Sequence, residues 1–485
     1  MADYESRLAF LEGEILRLTQ EQEESGMLIA HGGRPEDVQW KLLSSTFVFL
    51  MQLGFAMIES GMCRQVNVIS TYAKNILDFT FGSIAAMTFG YYIAYGVDVF
   101  NFAVDDPRQS AVFNYLVYQA TAATILSGAI AERVSLYGYI VLSIFVSGFV
   151  FAVVVRMTWA GGFLSTLDPP FHDFAGSAVV HVCGGAAAFS GAFVVGPRNG
   201  RWDPHKHGDF MPHDVKSVLG GVLILWVAWY GFNPGSTVGM SSYVDAQQAS
   251  HAALTTTMSA ATSGVVALLL SRAHHWYVSY TTASEKSGME IDVLSLANGI
   301  LAGLVSITAG CDVVSIPTSC IIGAAGGVIY YATVLFVGPV LRIDDVVDAV
   351  PVHFSTGVWG VLAVGFFHPQ QGYVYSGEWG LMWSQLLGAA TITLVSGGSV
   401  FIVSITLHFF DLLRVDIETE AKGLDTKFGI AAYVHESGKM LQLKACRDIL
   451  ASYGLEVEDI IETLVHIKTQ IIVPLSPQAG DNLIR

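Results

Sequence analysis

Charge is what this chain lacks. Of its 485 residues, 13% are Asp, Glu, Lys or Arg, where a soluble domain carries about 25%. Half the usual supply does not keep a surface this large in water. A soluble globular protein is therefore excluded, and an all-α polytopic membrane protein is expected. Positive charge is the scarcer sign: 24 Lys and Arg stand against 41 Asp and Glu, a net charge of −17. That balance argues against nucleic acid as a partner. Cysteine is scarce as well. Cys63, Cys183, Cys311, Cys320 and Cys446 show no paired spacing, so neither a disulfide framework nor a zinc site is expected. Residues 1–27 lack the apolar core of a secretory signal, which leaves the first span to direct insertion.

What is plentiful fits the same class. The chain is 52% hydrophobic and holds 49 glycines; small residues let membrane helices approach closely. Eleven apolar runs approach the roughly 20 residues a spanning helix needs. They fall near 42–61, 76–96, 112–131, 136–156, 174–196, 217–238, 249–271, 292–309, 317–341, 352–368 and 382–411. The expected layout is an N-terminal segment (1–41), an eleven-helix membrane domain (42–411) and a C-terminal tail (412–485). Leu8, Leu11, Ile15 and Leu18 in the first segment follow a short helical seam, read as a solvated amphipathic helix.

Lys and Arg in short loops set orientation. One set of loops carries Arg64, Lys74, Arg133, Arg198, Arg201, Lys206, Lys216, Arg272, Lys286 and Arg342; the other carries Arg108, with Arg156 at a helix end. The bias puts the tail in the cytoplasm and the N-terminus outside.

Two segments repeat a pattern. Asp173 is followed by seven residues, His181, three residues and Gly185; Asp345 is followed by seven residues, His353, three residues and Gly357. They open the fifth and tenth runs. Gly54-Phe55 and Gly231-Phe232 give a weaker echo between the first and sixth. Five helices per copy is odd, so the second copy inserts upside down. Such five-plus-five inverted repeats place a substrate site near the membrane midplane. His181 and His353 then enter from opposite faces and meet. A lone intramembrane histidine is often a core residue bonded to backbone. Two at matched positions point instead to a pathway or a proton relay. No metal-ligand set or nucleophile is read on adjacent helices, so neither an enzyme nor a bound cofactor is expected.

Trp159, Tyr118, Trp229, Phe232 and Ser236 gather near the expected outer ends of their runs. Singly each is an ordinary interfacial or packing residue. Together they suggest an aromatic cup with a hydroxyl acceptor, which attracts a small cation through the ring faces. The spans are read as offering no carboxylate to pair with a cation in the membrane. Asp173 and Asp345 sit at helix starts, where capping and the helix dipole suit them. The pathway thus recruits a cation outside without carrying it intact through the dry core. Ammonium fits that logic, as do other small cations and neutral solutes.

GFAMIESG (54–61), KNILDFTFGSIA (74–85), TAATILSGAIAERV (121–134), DFAGSAVVH (173–181), WYGFNPGS (229–236) and DDVVDAVPVH (344–353) closely resemble the ammonium transporter family (Amt/Mep/Rh), in order from about 42 to 433. The resemblance implies an eleven-helix homotrimer of the plasma membrane, one pore per subunit, with ammonium as substrate. It implies that Trp159 and Ser236 recruit ammonium, that Tyr118 and Phe232 are the stacked gate, that Asp173 supports the site and that His181 and His353 are the twin histidines. Trp159 and Ser236 align the chain with the Amt branch rather than Rh-type gas channels. Tyr118 departs from the usual Phe, and Phe354 from a usual Gly. The tail RVDIETEAKGLDTKFGIAAY (414–433) resembles the family's regulatory segment through Gly423, Leu424, Asp425 and Gly429. That segment implies docking on a neighbouring subunit, and Thr426 and Ser437 offer hydroxyls to a cytoplasmic regulator or kinase. An ammonium sensor of the same fold is the rival reading; the tail is too short for a fused kinase or cyclase-like domain.

Overall fold

The computed structural model describes residues 34–106, 108–237, 239–282 and 291–428. The seam at Leu8–Leu18, Gly429, Ser437 and the rest of the tail lie outside them. Among the described residues the chain is helical throughout, apart from a β-bridge between Val134 and Arg414. The long elements are α1 (Pro35–Met62), α2 (Gln65–Tyr95), α3 (Gln109–Ala129), α4 (Leu136–Met157), α5 (Ser177–Val195), α6 (Val215–Phe232), α7 (Tyr243–Thr282), α8 (Val293–Ile307), α9 (Ile316–Val337), α10 (Val350–Phe367) and α11 (Gly380–Phe409). Nine helices among the described residues are long and apolar enough to cross a membrane. The remaining two expected runs fall on α3, which is interrupted by polar residues, and on α8, of only 15 residues.

Local chemistry explains several boundaries. Pro35 opens α1, where the missing N–H costs nothing. Asp214, Asp292 and Ser315 cap α6, α8 and α9 through their side chains. Gly96, at φ 72°, ends α2 in the left-handed conformation. Outward side chains such as Ile76, Leu223 and Leu394 are exposed apolar groups. In lipid that is the stable arrangement, since each helix satisfies its own backbone. The first helix packs on α6, α7 on α8 and α9, and α5 on α3 and α11.

Two expectations about charge are corrected. Lys74, counted among the loop cations, lies inside α2 and is buried. Arg272 likewise lies within α7, which runs on to Thr282. More importantly, the spans do contain carboxylates. Glu59 in α1 and Asp78 in α2 are buried, at 2% and 0% exposure. A carboxylate is stable there only with donors or an opposite charge nearby, and α2 brings Lys74 one turn from Asp78.

Candidate functional site

The repeated pattern has a structural cause at each position. Both α5 and α10 begin with a π-turn, at Ser177–Val182 and Val350–Ser355. The Asp173 carboxylate accepts the backbone N–H groups of Gly176, Ala178 and Val179 at 3.0, 2.8 and 2.9 Å. The Asp345 carboxylate accepts that of Val350 at 2.7 Å. In each case the acid ties down an amide five residues on, which fixes how its helix starts. The glycines serve close approach. A Cβ on Gly185 would lie 2.5 Å from the Phe354 backbone nitrogen, and one on Gly357 would lie 2.8 Å from the Ser177 carbonyl oxygen. Each helix therefore presses its glycine onto the other's histidine-bearing turn.

That contact brings the histidines together. Their rings stack at 5.2 Å and 19°, with the two Nδ1 atoms 3.2 Å apart. A neutral pair at that distance shares one hydrogen: one ring donates through Nδ1 and the other accepts. His181 Nε2 is buried and has no hydrogen-bond partner. The pair thus presents unused ring nitrogens to anything that enters.

Above His181 the aromatic residues form a continuous stack. Phe232 lies 5.4 Å from the His181 ring. Tyr118 stacks on Phe232 at 4.5 Å and 20°. Trp159 meets Tyr118 edge-on at 6.0 Å and is 37% exposed, so it forms the open end. Its indole N–H donates to the Asp173 carbonyl at 2.8 Å. The Tyr118 hydroxyl donates to the Phe232 carbonyl at 2.7 Å and lies 3.0 Å from the Ser236 hydroxyl. The departure from Phe at 118 thus adds a polar tie to the cup floor. Trp229 lies deeper: fully buried, its ring is 5.5 Å from Phe232 and stacks on His181 at 5.1 Å, and its N–H donates to Thr308 at 3.2 Å. It walls the histidines rather than the mouth. Phe354 packs its backbone on Gly185, and its ring lies 6.5 Å from Phe189.

The sequence reading missed the group behind His353. Glu59 accepts from Asn75 at 3.1 Å and from Ser127 at 3.0 Å. Asp78 accepts from Thr124 at 2.8 Å and from Ser143. Lys74 Nζ has no hydrogen-bond partner and sits 5.5 Å over the Tyr139 ring. The signal was present in GFAMIESG and KNILDF: an acid, a base and a second acid within apolar runs.

At the loop end of the bundle the cations have partners. Glu132 accepts from Arg64 and Arg198, and from Asn67 at 2.8 Å. Arg198 also grips Asp344 in a two-pronged pair at 2.8 and 2.9 Å. Burial raises the Glu132 carboxyl, but the Arg198 and Arg64 charges outweigh it and hold it below its usual range. Tail residues join this knot. Asp425 accepts the N–H groups of Ile69 and Ser70 at 3.0 and 2.7 Å, and Leu424 donates to Asn67 at 2.7 Å. A Cβ on Gly423, at φ 92°, would lie 2.4 Å from Val66. Gly423, Leu424 and Asp425 thus lie against their own subunit's second helix.

Comparison with known proteins identifies the family. The model of the Ammonium Transporter Family matches residues 39–433. The chain is 34% identical to the ammonium transporter Amt2 of Archaeoglobus fulgidus over 423 residues, covering 81% of this chain and 86% of that one. It is 32% identical to ammonium transporter 3 of Dictyostelium discoideum, covering 82% and 94%. Among solved structures, a Sensor Amt Protein superposes with a TM-score of 0.71 at 30% identity, covering 80% of this chain and 97% of that one. Candida albicans Mep2 does so with a TM-score of 0.67 at 25% identity, covering 79% and 87%. A multi-pass helical membrane protein with this sequence, matched along most of its length, belongs to the ammonium transporter family.

Proposed function

We propose that the chain takes up ammonium through a pore that begins at Trp159 and Ser236 and passes the twin histidines. The single observation carrying this reading is the unbroken stack from Trp159 through Tyr118 and Phe232 to His181 and His353. Ring faces at the mouth attract the cation. Tyr118 and Phe232 close the way to anything hydrated, so ammonium gives up its proton there, and the open Nε2 of His181 beneath Phe232 accepts it. Ammonia then moves along the imidazoles, and its proton follows through the shared Nδ1 hydrogen. Asp173 supports the mouth by holding the start of α5 and, through its carbonyl, the Trp159 indole.

The wider setting is part of the proposal: eleven crossings as a five-plus-five inverted repeat, a homotrimer in the plasma membrane, the N-terminus outside and the tail inside. The positive loops support that orientation. A second reading, sensing combined with transport, is favoured by the likeness to the Sensor Amt Protein.

Proteoliposomes holding the purified protein and an internal pH dye test the recruitment step. An inward ammonium gradient should give a rapid pH change, and Trp159→Ala should raise the half-saturating ammonium concentration about tenfold, the loss of roughly 1.4 kcal/mol of binding. Equal half-saturation in wild type and variant would refute recruitment at Trp159.

A further inference from the structure

Beside His353, on the side away from the aromatic cup, lies a small cavity of about 20 Å³. A single water needs roughly 10–15 Å³ by the same measure. Glu59, Thr124, Asn298 and His353 supply its polar lining; Phe55 and Val352 are among the apolar residues. The cavity thus has room for one water-sized solute within a lining that includes both the second histidine and a buried acid.

The charges around it do not balance. Glu59, Asp78 and Lys74 are all buried within the first two helices, and as formal ions they leave one negative charge over. Burying an unmatched charge is costly. The hydrogen bonds identify where the excess sits. Both Asp78 oxygens accept hydroxyl donors, from Thr124 and Ser143. Glu59 Oε2 accepts from Asn75 and Ser127, while Oε1 has no partner. Other titratable groups nearby are the Tyr139 hydroxyl, beside Asp78 and Ser127, Cys63 and the oppositely charged Arg133 and Glu132, which also act on Lys74 and cancel formally, and Asp348, which is occupied by Asn298 at 3.0 Å and Tyr330 at 3.3 Å. Oε1 is thus the open position where one proton would neutralise these three charges, its O–H then donating to a solute in the cavity.

We propose that Glu59 is a proton-binding group of the pore, taking the proton released by the histidine pair through one water-sized solute in the cavity it shares with His353. The inference rests on the proton-relay reading of the histidines. In the step, an N–H bond of protonated His353 breaks, and the imidazole keeps the electron pair. The solute accepts that proton and gives up another, and an O–H bond forms on Glu59 Oε1. Nothing is oxidised or reduced. The solute is water, or ammonia on its way through.

The test uses the full-length protein in lipid, with two readouts on each variant. Infrared difference spectra on adding ammonium report protonated carboxylic acid directly. Currents on a supported membrane report charge movement. Wild type should gain a carboxylic carbonyl band that Glu59→Gln lacks, with the Gln variant's current down tenfold or more. Glu59→Gln leaves Asp78 and Lys74 balanced as formal ions; should it fail to fold, Glu59→Asp is read instead, by a shift of the carbonyl band. A wild-type band that persists in a folded Gln variant, or an unchanged current, overturns the role of Glu59. A His353→Ala arm separates the two ideas: full current in that variant contradicts the histidine relay itself. Repeating the spectra with methylammonium, too large for the cavity beside water, should keep the band if water is the bridge; its loss would identify ammonia as the bridge.

Discussion

The helices that carry His181 and His353 start alike and end up in different surroundings. Each begins with a π-turn, is tied by an aspartate to an amide five residues on, and presses a glycine onto its partner. Yet His181 lies under an aromatic stack, whereas His353 borders a cavity with a carboxylate. The shared part is backbone geometry, set by the matched Asp and Gly positions. The differing part is what neighbouring helices bring: Tyr118, Phe232 and Trp229 to one ring, Phe55, Glu59 and Asn298 to the other. On the proposed reading a repeated frame serves two chemistries, recruitment at one end and proton handling at the other.

The comparison can be broken first at the glycines, where backbone meets backbone. Gly185→Val should separate the two helices, because its first carbon already meets backbone at 2.5 Å. Overpacking of this kind costs about 1–3 kcal/mol or more, and the melting temperature of the purified protein should fall with it. Gly357→Val should do the same if the helices are equivalent, with a somewhat smaller loss at 2.8 Å. A tolerated valine at either position would refute the close approach.

The aspartates should differ more. Asp173→Ala removes the acceptor of three backbone donors and Asp345→Ala that of one. Hydrogen bonds to charged groups contribute about 1.5–3 kcal/mol each, so Asp173→Ala should destabilise by roughly 3 kcal/mol or more and Asp345→Ala by about half as much. Thermal or denaturant unfolding in detergent ranks them, and equal losses would contradict the asymmetry.

Tyr118→Phe is gentler. It keeps the stack on Phe232 and gives up the hydroxyl's ties to the Phe232 carbonyl and Ser236, a loss of about 1 kcal/mol. Discrimination between ammonium and methylammonium should shift severalfold while maximal flux changes little. Identical discrimination would show that the hydroxyl has no part in selection.

The smallest effect concerns acidity near the mouth. His172 lies 3.2 Å from Asp312 and faces the His368 ring at 5.6 Å. Burial lowers the His172 imidazole, but the hydrogen bond and charge of Asp312 outweigh it, so its pKa stands above the ordinary histidine value. The stabilisation is therefore full below the ordinary value and is lost as pH rises through the raised one. Melting temperature should fall slightly from mildly acid to mildly alkaline pH, and His172→Gln should abolish that slope. With its side chain 26% exposed, the pair is worth little.

The sequence made the membrane, the Asp–His–Gly pattern and most of the aromatic cup legible because these depend on composition and spacing. The depth of Trp229 is not legible, since its position along α6 does not say that its ring turns inward onto Phe232 and His181. Glu59 and Asp78 were passed over because charge was sought in loops. Their burial depends on helices from distant parts of the chain supplying Asn75, Ser127, Thr124 and Ser143 as donors. The Gly423–Asp425 dock was visible as a motif, but its partners Val66, Asn67 and Ser70 were not.

The most direct test of the central claim, that the twin histidines move the substrate's proton, is the ammonium-evoked current on a supported membrane. Wild type should give a current that decays faster as protein density in the liposomes rises. His181→Ala and His353→Ala, folded and assembled, should each reduce it at least tenfold or abolish its preference for ammonium over potassium. Unchanged current and selectivity in both variants would contradict the account.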